Sequence, residues 1–288
     1  MSDARILDRG YRPYDGPRLG HRGAVRALSR HTAQRVLGMR RPARAKVLPV
    51  LTAVIAYLPA VVFVGIAALV DNQDVLDNAI PSYADYYGFI TSALVVFAAF
   101  VAPEALCPDR RTGLLGLYLA APLTRGSYLA AKAGTIFALL CIATLGPPLL
   151  MAVAFVLQGL GPDGPGEVLV LLGRVVAAGL LVAGVFTGVS LGVSSLTDKR
   201  ALAAAGTLLV ILLTGTVSGV LVNGVSLPEW VFAFNLTLAP FQLVQRLYGQ
   251  TGDLPEVSTL VFLATTLGYT VLGLGVASWR YRRLRVTR

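Results

Sequence analysis

Hydrophobic residues along this chain gather into long unbroken runs, with polar residues confined to short charged blocks between them. Six runs stand out, over residues 47–70, 86–106, 131–158, 168–196, 201–223 and 257–279. Each is long enough to cross a hydrocarbon core of ~30 Å at ~1.5 Å of rise per helical residue. None alternates with the period of two that membrane strands show, and backbone groups in lipid must be satisfied within each segment, so helices are predicted. Pro59, the Gly146-Pro147-Pro148 triplet, Gly184, Gly188 and Gly192 would weaken soluble helices but are tolerated in transmembrane ones. The pattern predicts an all-α integral membrane protein. One six-helix domain covers 47–280, an arm covers 1–46, and a short basic tail covers 281–288.

Three connecting segments carry their own patterns. Residues 1–20 are turn-rich and polar, whereas 22–41 read as a basic amphipathic helix. Val25, Leu28, Thr32, Val36 and Met39 recur at three- and four-residue spacing, with Arg22, Arg26, Arg30, Arg35 and Arg40 around the remainder. Such a helix is expected in the headgroup plane, against anionic lipid. Between the second and third runs, Leu114, Leu115, Tyr118 and Leu119 would form one apolar face of a short helix ended by Pro122. That face is expected to be exposed, which calls for lipid or a protein groove. Residues 224–256 are too apolar for a solvated loop and are interrupted by Pro228 and Pro240, so a re-entrant or interface-lying helical pair is expected. Trp230, Phe232 and Phe234 suit an aromatic belt.

Charge sets the expected orientation. The chain holds 25 Lys and Arg against 15 Asp and Glu, a net +10. Sorted by connecting segment, 23 of the 25 basic residues fall on one side: in the first 46 residues, in 107–132, at Lys199 and Arg200, and from Arg280 onward. The opposite side carries Asp71, Asp74, Asp77, Asp85, Asp163, Glu167, Glu229, Asp253 and Glu256 against Arg246 alone. The positive-inside rule then predicts a multi-pass protein of the cell membrane with both termini cytoplasmic. The excess reads as topology and lipid attraction, not as a nucleic-acid footprint. No cleavable signal is expected, because the first apolar run begins only at residue 47.

Catalytic chemistry finds little to work with. Both histidines lie in the arm, the runs hold almost no carboxylate, and the two cysteines and three methionines form no metal-ligand pattern. No Gly-x-x-x-x-Gly-Lys-(Ser/Thr) loop is present to cradle nucleotide phosphates. No metal or cofactor is therefore expected on this chain, and a membrane enzyme is disfavoured.

The order Glu104, the basic turn Asp109-Arg110-Arg111, Thr112-Gly113-Leu114-Leu115, Ala121-Pro122-Leu123-Thr124-Arg125, Tyr128 and Lys132 resembles the coupling region of ABC-2-type transporter permeases. Those commonly show Glu-Arg-Glu-x-Gly-Thr, a leucine-rich turn, Pro-(Leu/Ile)-Ser-Arg and a Lys opening the third span. Here Pro103-Glu104 and the Asp109 turn replace the tight acidic–basic run, and Thr112-Gly113 inverts Gly-Thr. The motif Tyr14-Asp15-Gly16-Pro17-Arg18 is also similar to the arm of actinobacterial permeases. The resemblance implies the permease subunit of an exporter, paired with a second permease copy or homologue and with a cytoplasmic ATPase that carries ATP and Mg. It implies coupling through Glu104, Arg110, Arg111, Leu114, Leu115, Tyr118, Leu119 and Arg125, with Glu104 pairing with Arg110, Arg111 or Arg125. It also implies a substrate path near Phe89, Ser92, Phe97, Thr207, Thr214 and Ser218. A packing seam is the other reading of the helix-five hydroxyls, with Gly215 and Gly219 as a small-xxx-small pair. A membrane scaffold or assembly factor, or a permease serving multicopper-enzyme maturation, stays open. The cargo is not legible.

Overall fold

The computed structural model describes residue 16 and residues 19–39, 41–70, 79–120, 122–162 and 164–284. Most of the 14–18 motif, Arg40, Asp71, Asp74, Asp77, Ala121, Asp163 and the last four residues lie outside the described residues.

Among the described residues nine α-helices follow one another: α1 (Gly20–Val36), α2 (Val47–Leu69), α3 (Tyr83–Arg111), α4 (Leu114–Ala120), α5 (Arg125–Leu157), α6 (Pro165–Leu196), α7 (Arg200–Asn223), α8 (Leu238–Leu247) and α9 (Thr259–Arg283), with 3₁₀ turns at Ala43–Ala45 and Glu229–Phe234. Six of them, α2, α3, α5, α6, α7 and α9, are long and apolar enough to cross a membrane. The protein is all-α and membrane-spanning, as its hydrophobic runs predict.

Capping explains why several helices outrun their apolar stretches. Ser82 accepts the Asp85 amide to start α3. Thr124 and Ser127 form a capping box that starts α5 at Arg125, six residues before its apolar run. Pro165 occupies the first position of α6, where its missing N–H costs nothing. At the other end α3 runs through Pro103 and Pro108 to Arg111 and stops before Gly113, whose φ is +71°. The turn expected around Asp109 is thus the last turn of α3, and the segment between the second and third spans shrinks to α4.

Burial shows which helix is central. In its most apolar window α3 is 61% buried, against 17% for α2 and α7 and 22% for α9. It touches α2, α5, α6, α7 and α8. Hydroxyls lock the outer helices to this centre: Tyr86 donates to the Ala56 carbonyl of α2, and Tyr57 of α2 donates to Ile142 O of α5 at 2.7 Å. The segment between α7 and α9 folds back into the bundle. The Leu236 amide donates to Thr214 Oγ1 at 3.4 Å, about 13 Å of helix rise before the end of α7, and α8 packs on α6 and α9. The segment expected to be helical and apolar is thus a 3₁₀ turn and a short helix packed against the spans.

The closest helix pair is α6 with α9. A Cβ added at Gly188 would lie 2.7 Å from Thr270 O, and one at Gly192 2.9 Å from the Gly273 Cα. The backbones therefore meet directly, as small residues permit between helices in lipid. By contrast Gly219 has open space around it, and Gly215 faces the Asn235 side chain. Gly188→Val is expected to lower stability in detergent by about 1–3 kcal/mol through overpacking. Gly219→Ala should leave the melting temperature unchanged or slightly raised. Parallel thermal melts of the two purified variants check this.

Candidate functional site

At the basic end of the bundle, α3 carries two carboxylates one and a half turns apart, and each gathers two cations. Asp109 is fully buried. Its Oδ1 takes Arg35 Nη1 of α1 at 2.5 Å, and its Oδ2 takes Lys132 Nζ of α5 at 2.7 Å and the Tyr128 hydroxyl at 2.9 Å. Lys132, also fully buried, donates in addition to Ala105 O at 2.9 Å. Removing an ion from water costs several kcal/mol, so such a charge persists only with good partners, and here all of its neighbours point at it. Together these contacts join α1, α3 and α5. His21 extends the join by hydrogen-bonding Pro122 O at 2.6 Å, so α1 straps across the first turns of α5.

Sequence reasoning missed this cluster. It placed Asp109 in a surface turn, Lys132 at the start of a span, and Arg35 on the polar side of a helix in the headgroup plane. A signal was present, because Tyr128 and Lys132 are four apart and share one face of α5. The apolar face of α1 is also turned inward: Leu28, Thr32 and Val36 are buried while Met39 is 43% exposed.

Glu104 sits at the rim. Its Oε1 accepts from Arg41 at 2.7 Å and its Oε2 from Arg200, the first residue of α7, at 2.6 Å. Its expected partners lie elsewhere: in a helix that continues to Arg111, Arg110 projects from another face, Arg111 stands about 10 Å further along the axis, and Arg125 belongs to α5. Arg110 reaches the end of α6 and donates to Ser195 O at 2.6 Å and Thr197 O at 2.9 Å, capping otherwise free carbonyls. Arg111 is exposed. Arg125 donates to Arg282 O at 2.5 Å, tying α5 to the end of α9.

The short helix α4 forms, but its apolar face is turned the other way from expectation. Leu115 is buried, the Tyr118 ring lies 5.9 Å from that of Tyr128, and Leu119 packs on the core, with Leu114 half-buried. Leu117 is the residue presented outward, 69% exposed. The inward face is claimed by the protein's own Tyr128 and Tyr281 stack.

The residues expected along a path separate into two groups. Phe89 and Ser92 lie on an exposed face of α3 that continues through Val96 and Phe100. Phe97 is buried and lines a cavity of about 210 Å³ at the foot of that face, together with Arg35, Arg41, Glu104 and Arg200. Thr207 and Ser218 are buried and Thr214 half-buried. Their hydroxyls bond Ala203 O, Gly215 O and Ile211 O of their own helix, each at 2.9 Å. They form a seam of α7 and do not meet Phe89 and Ser92.

Replacing Asp109 with Leu leaves Lys132 and Arg35 without their counter-charge and is expected to cost about 3–5 kcal/mol. Adding Lys132→Met should recover most of that loss. Glu104→Gln, at the wet rim, should cost about 1 kcal/mol or less. Denaturation of the purified variants in detergent reads all three.

Comparison with curated proteins gives no match. The sequence profile of the family described as ABC-2 family transporter protein matches residues 30–285, a stretch that begins inside α1 and includes all six long helices, α4 and α8. The chain therefore belongs to the ABC-2 transporter family and is a permease component of an ABC transporter.

Proposed function

We propose that this chain is the permease subunit of an exporter in the cell membrane, working as a dimer and driven by a separate cytoplasmic ATPase. The observation that carries the reading is α4: seven residues held from behind by Leu115 and Tyr118, with Leu117 and Arg111 presented outward at the basic end. A helix fixed in this way transmits a push on Leu117 to Tyr128 and Lys132 of α5. The basic excess supports a cytoplasmic position for this end, and hence for both termini. The docking knob is then Leu117 with Arg111, while Leu114, Leu115, Tyr118 and Leu119 act as its internal support, and Glu104, Arg110 and Arg125 fix the surrounding helix ends.

The second copy is supported by the exposed face of α3. A helix that is central by burial nevertheless leaves Phe89 at 52% and Phe100 at 43% exposure, between the sparsely buried α2 and α7. Facing another permease, that strip lines a shared path. Phe89 and Ser92 are then path residues, with Thr207, Thr214 and Ser218 the seam behind the wall.

Leu117→Asp should reduce ATPase co-purification more than about tenfold, because a carboxylate entering an apolar contact lacks partners. Membrane levels should stay normal, as Leu117 supports nothing internal. Leu115→Asp should instead lower the level of the chain itself. Undiminished co-purification with Leu117→Asp overturns the docking assignment. For sidedness, a single cysteine at Thr251 should be labelled from outside intact cells and one at Asp198 only after lysis. External labelling at 198 overturns the orientation.

A further inference from the structure

The cavity below the α3 strip is lined by three arginines and one carboxylate together with apolar side chains. Arg35 of α1, Arg41 of the following turn and Arg200 of α7 enter it from three directions, and Glu104 is the carboxylate on its lining. Among the described residues each of these guanidinium groups is engaged through one nitrogen, Nη1, with a carboxylate. A guanidinium carries five donors in a planar fork that matches phosphate or carboxylate oxygens, so most of their donor capacity remains. Including Lys132 and Asp109, four cations face two carboxylates here. Phe97, Phe100 and Leu48 are among its apolar lining.

Size limits what can enter. About 210 Å³ is less than the roughly 300–1,000 Å³ of sites that enclose a drug-sized ligand, so the cavity takes a head and leaves the body outside. What adjoins it is apolar. From Phe100 through Val96 and Ser92 to Phe89 the exposed face of α3 continues for about 16 Å, close to half the thickness of a hydrocarbon core.

We propose that this cavity binds the anionic head of an amphiphile whose hydrocarbon chain lies along the α3 strip. Resting on the permease reading, this makes the cargo class a phosphate- or carboxylate-headed amphiphile. A cationic head would meet three arginines, and a bare anion would have no use for the phenylalanines.

The test uses the purified full-length chain in phosphatidylcholine nanodiscs, with no ATPase present. Dodecyl phosphate should raise the melting temperature saturably, whereas inorganic phosphate and dodecyltrimethylammonium should not. Arg200→Gln should weaken dodecyl phosphate about three- to fivefold, as expected for one partly exposed charge, and Arg41→Gln serves if that variant folds poorly. Glu104→Gln should tighten it by a similar factor, a gain that a merely structural role would not produce. Equal binding of inorganic phosphate, binding of the ammonium amphiphile, or variants that leave affinity unchanged or shift it in the same direction overturns the proposal. Loss of dodecyl phosphate binding in discs containing phosphatidylglycerol assigns the site to bulk lipid and overturns the cargo class. Because the assay needs no partner, failure here with intact ATPase co-purification leaves the permease reading standing.

Discussion

Asp109 is a carboxylate with no access to water at the end of the most buried helix, and it exists there only because three other groups converge on it. Arg35 arrives from a helix outside the bundle, and Lys132 and Tyr128 from one face of α5. Lys132 is equally buried and divides its protons between Asp109 and the Ala105 carbonyl. Each of these charges would be prohibitively costly alone, so the positions of three helices are specified together or not at all. An apolar contact at the same place would tolerate sliding along a greasy surface. An ion cluster with fixed donor directions does not.

That constraint bears on every feature with a functional reading. It holds α1 against α3 and α5, so this helix is packed on the bundle by ion pairs as well as by its apolar face. It fixes the start of α5 and the end of α3, between which α4 is suspended, and the Tyr118 ring rests on Tyr128, itself a ligand of Asp109. It also holds Arg35 in the wall of the cavity under the α3 strip. A displacement of α4 and a charge in the cavity therefore act on the same few side chains. The shared cluster is a short physical connection between α4 and the cavity.

The six spans, the amphipathic arm, the short helix before α5 and the folded-back segment before α9 were all legible, because hydropathy over twenty residues is a bulk property that tertiary contacts do not reverse. Helix ends were less so. The start of α5 at Arg125 depends on a Thr124–Ser127 cap, and the continuation of α3 to Arg111 on tolerance of Pro103 and Pro108, neither of which hydropathy registers. The direction of the α4 face was misread for a related reason. Period analysis finds that Leu115, Tyr118 and Leu119 share a face, yet whether it meets solvent or Tyr128 depends on a residue on the next helix. Ion partners follow the same rule. Glu104 pairs with Arg41 and Arg200, 63 and 96 residues away, and no local spacing encodes that choice.

The positive charge of this end then has two physical duties that composition merges. Exposed residues such as Arg22, Arg26 and Arg30 add positive charge by their sign and place alone, and a lysine would serve as well. Arg35, Arg41, Arg110 and Arg200 are each held by oxygens at 2.5 to 2.9 Å through one nitrogen, which fixes their position and leaves the rest of each planar fork open. The division by geometry also separates the polar groups of the path. The Thr207, Thr214 and Ser218 hydroxyls donate to carbonyls of their own helix, and along the exposed α3 face Ser92 is the small polar side chain between phenylalanines and valine. Convergent polar groups lie instead at the basic end of this face, where Arg35, Arg41 and Arg200 each keep donors beyond the one that meets a carboxylate.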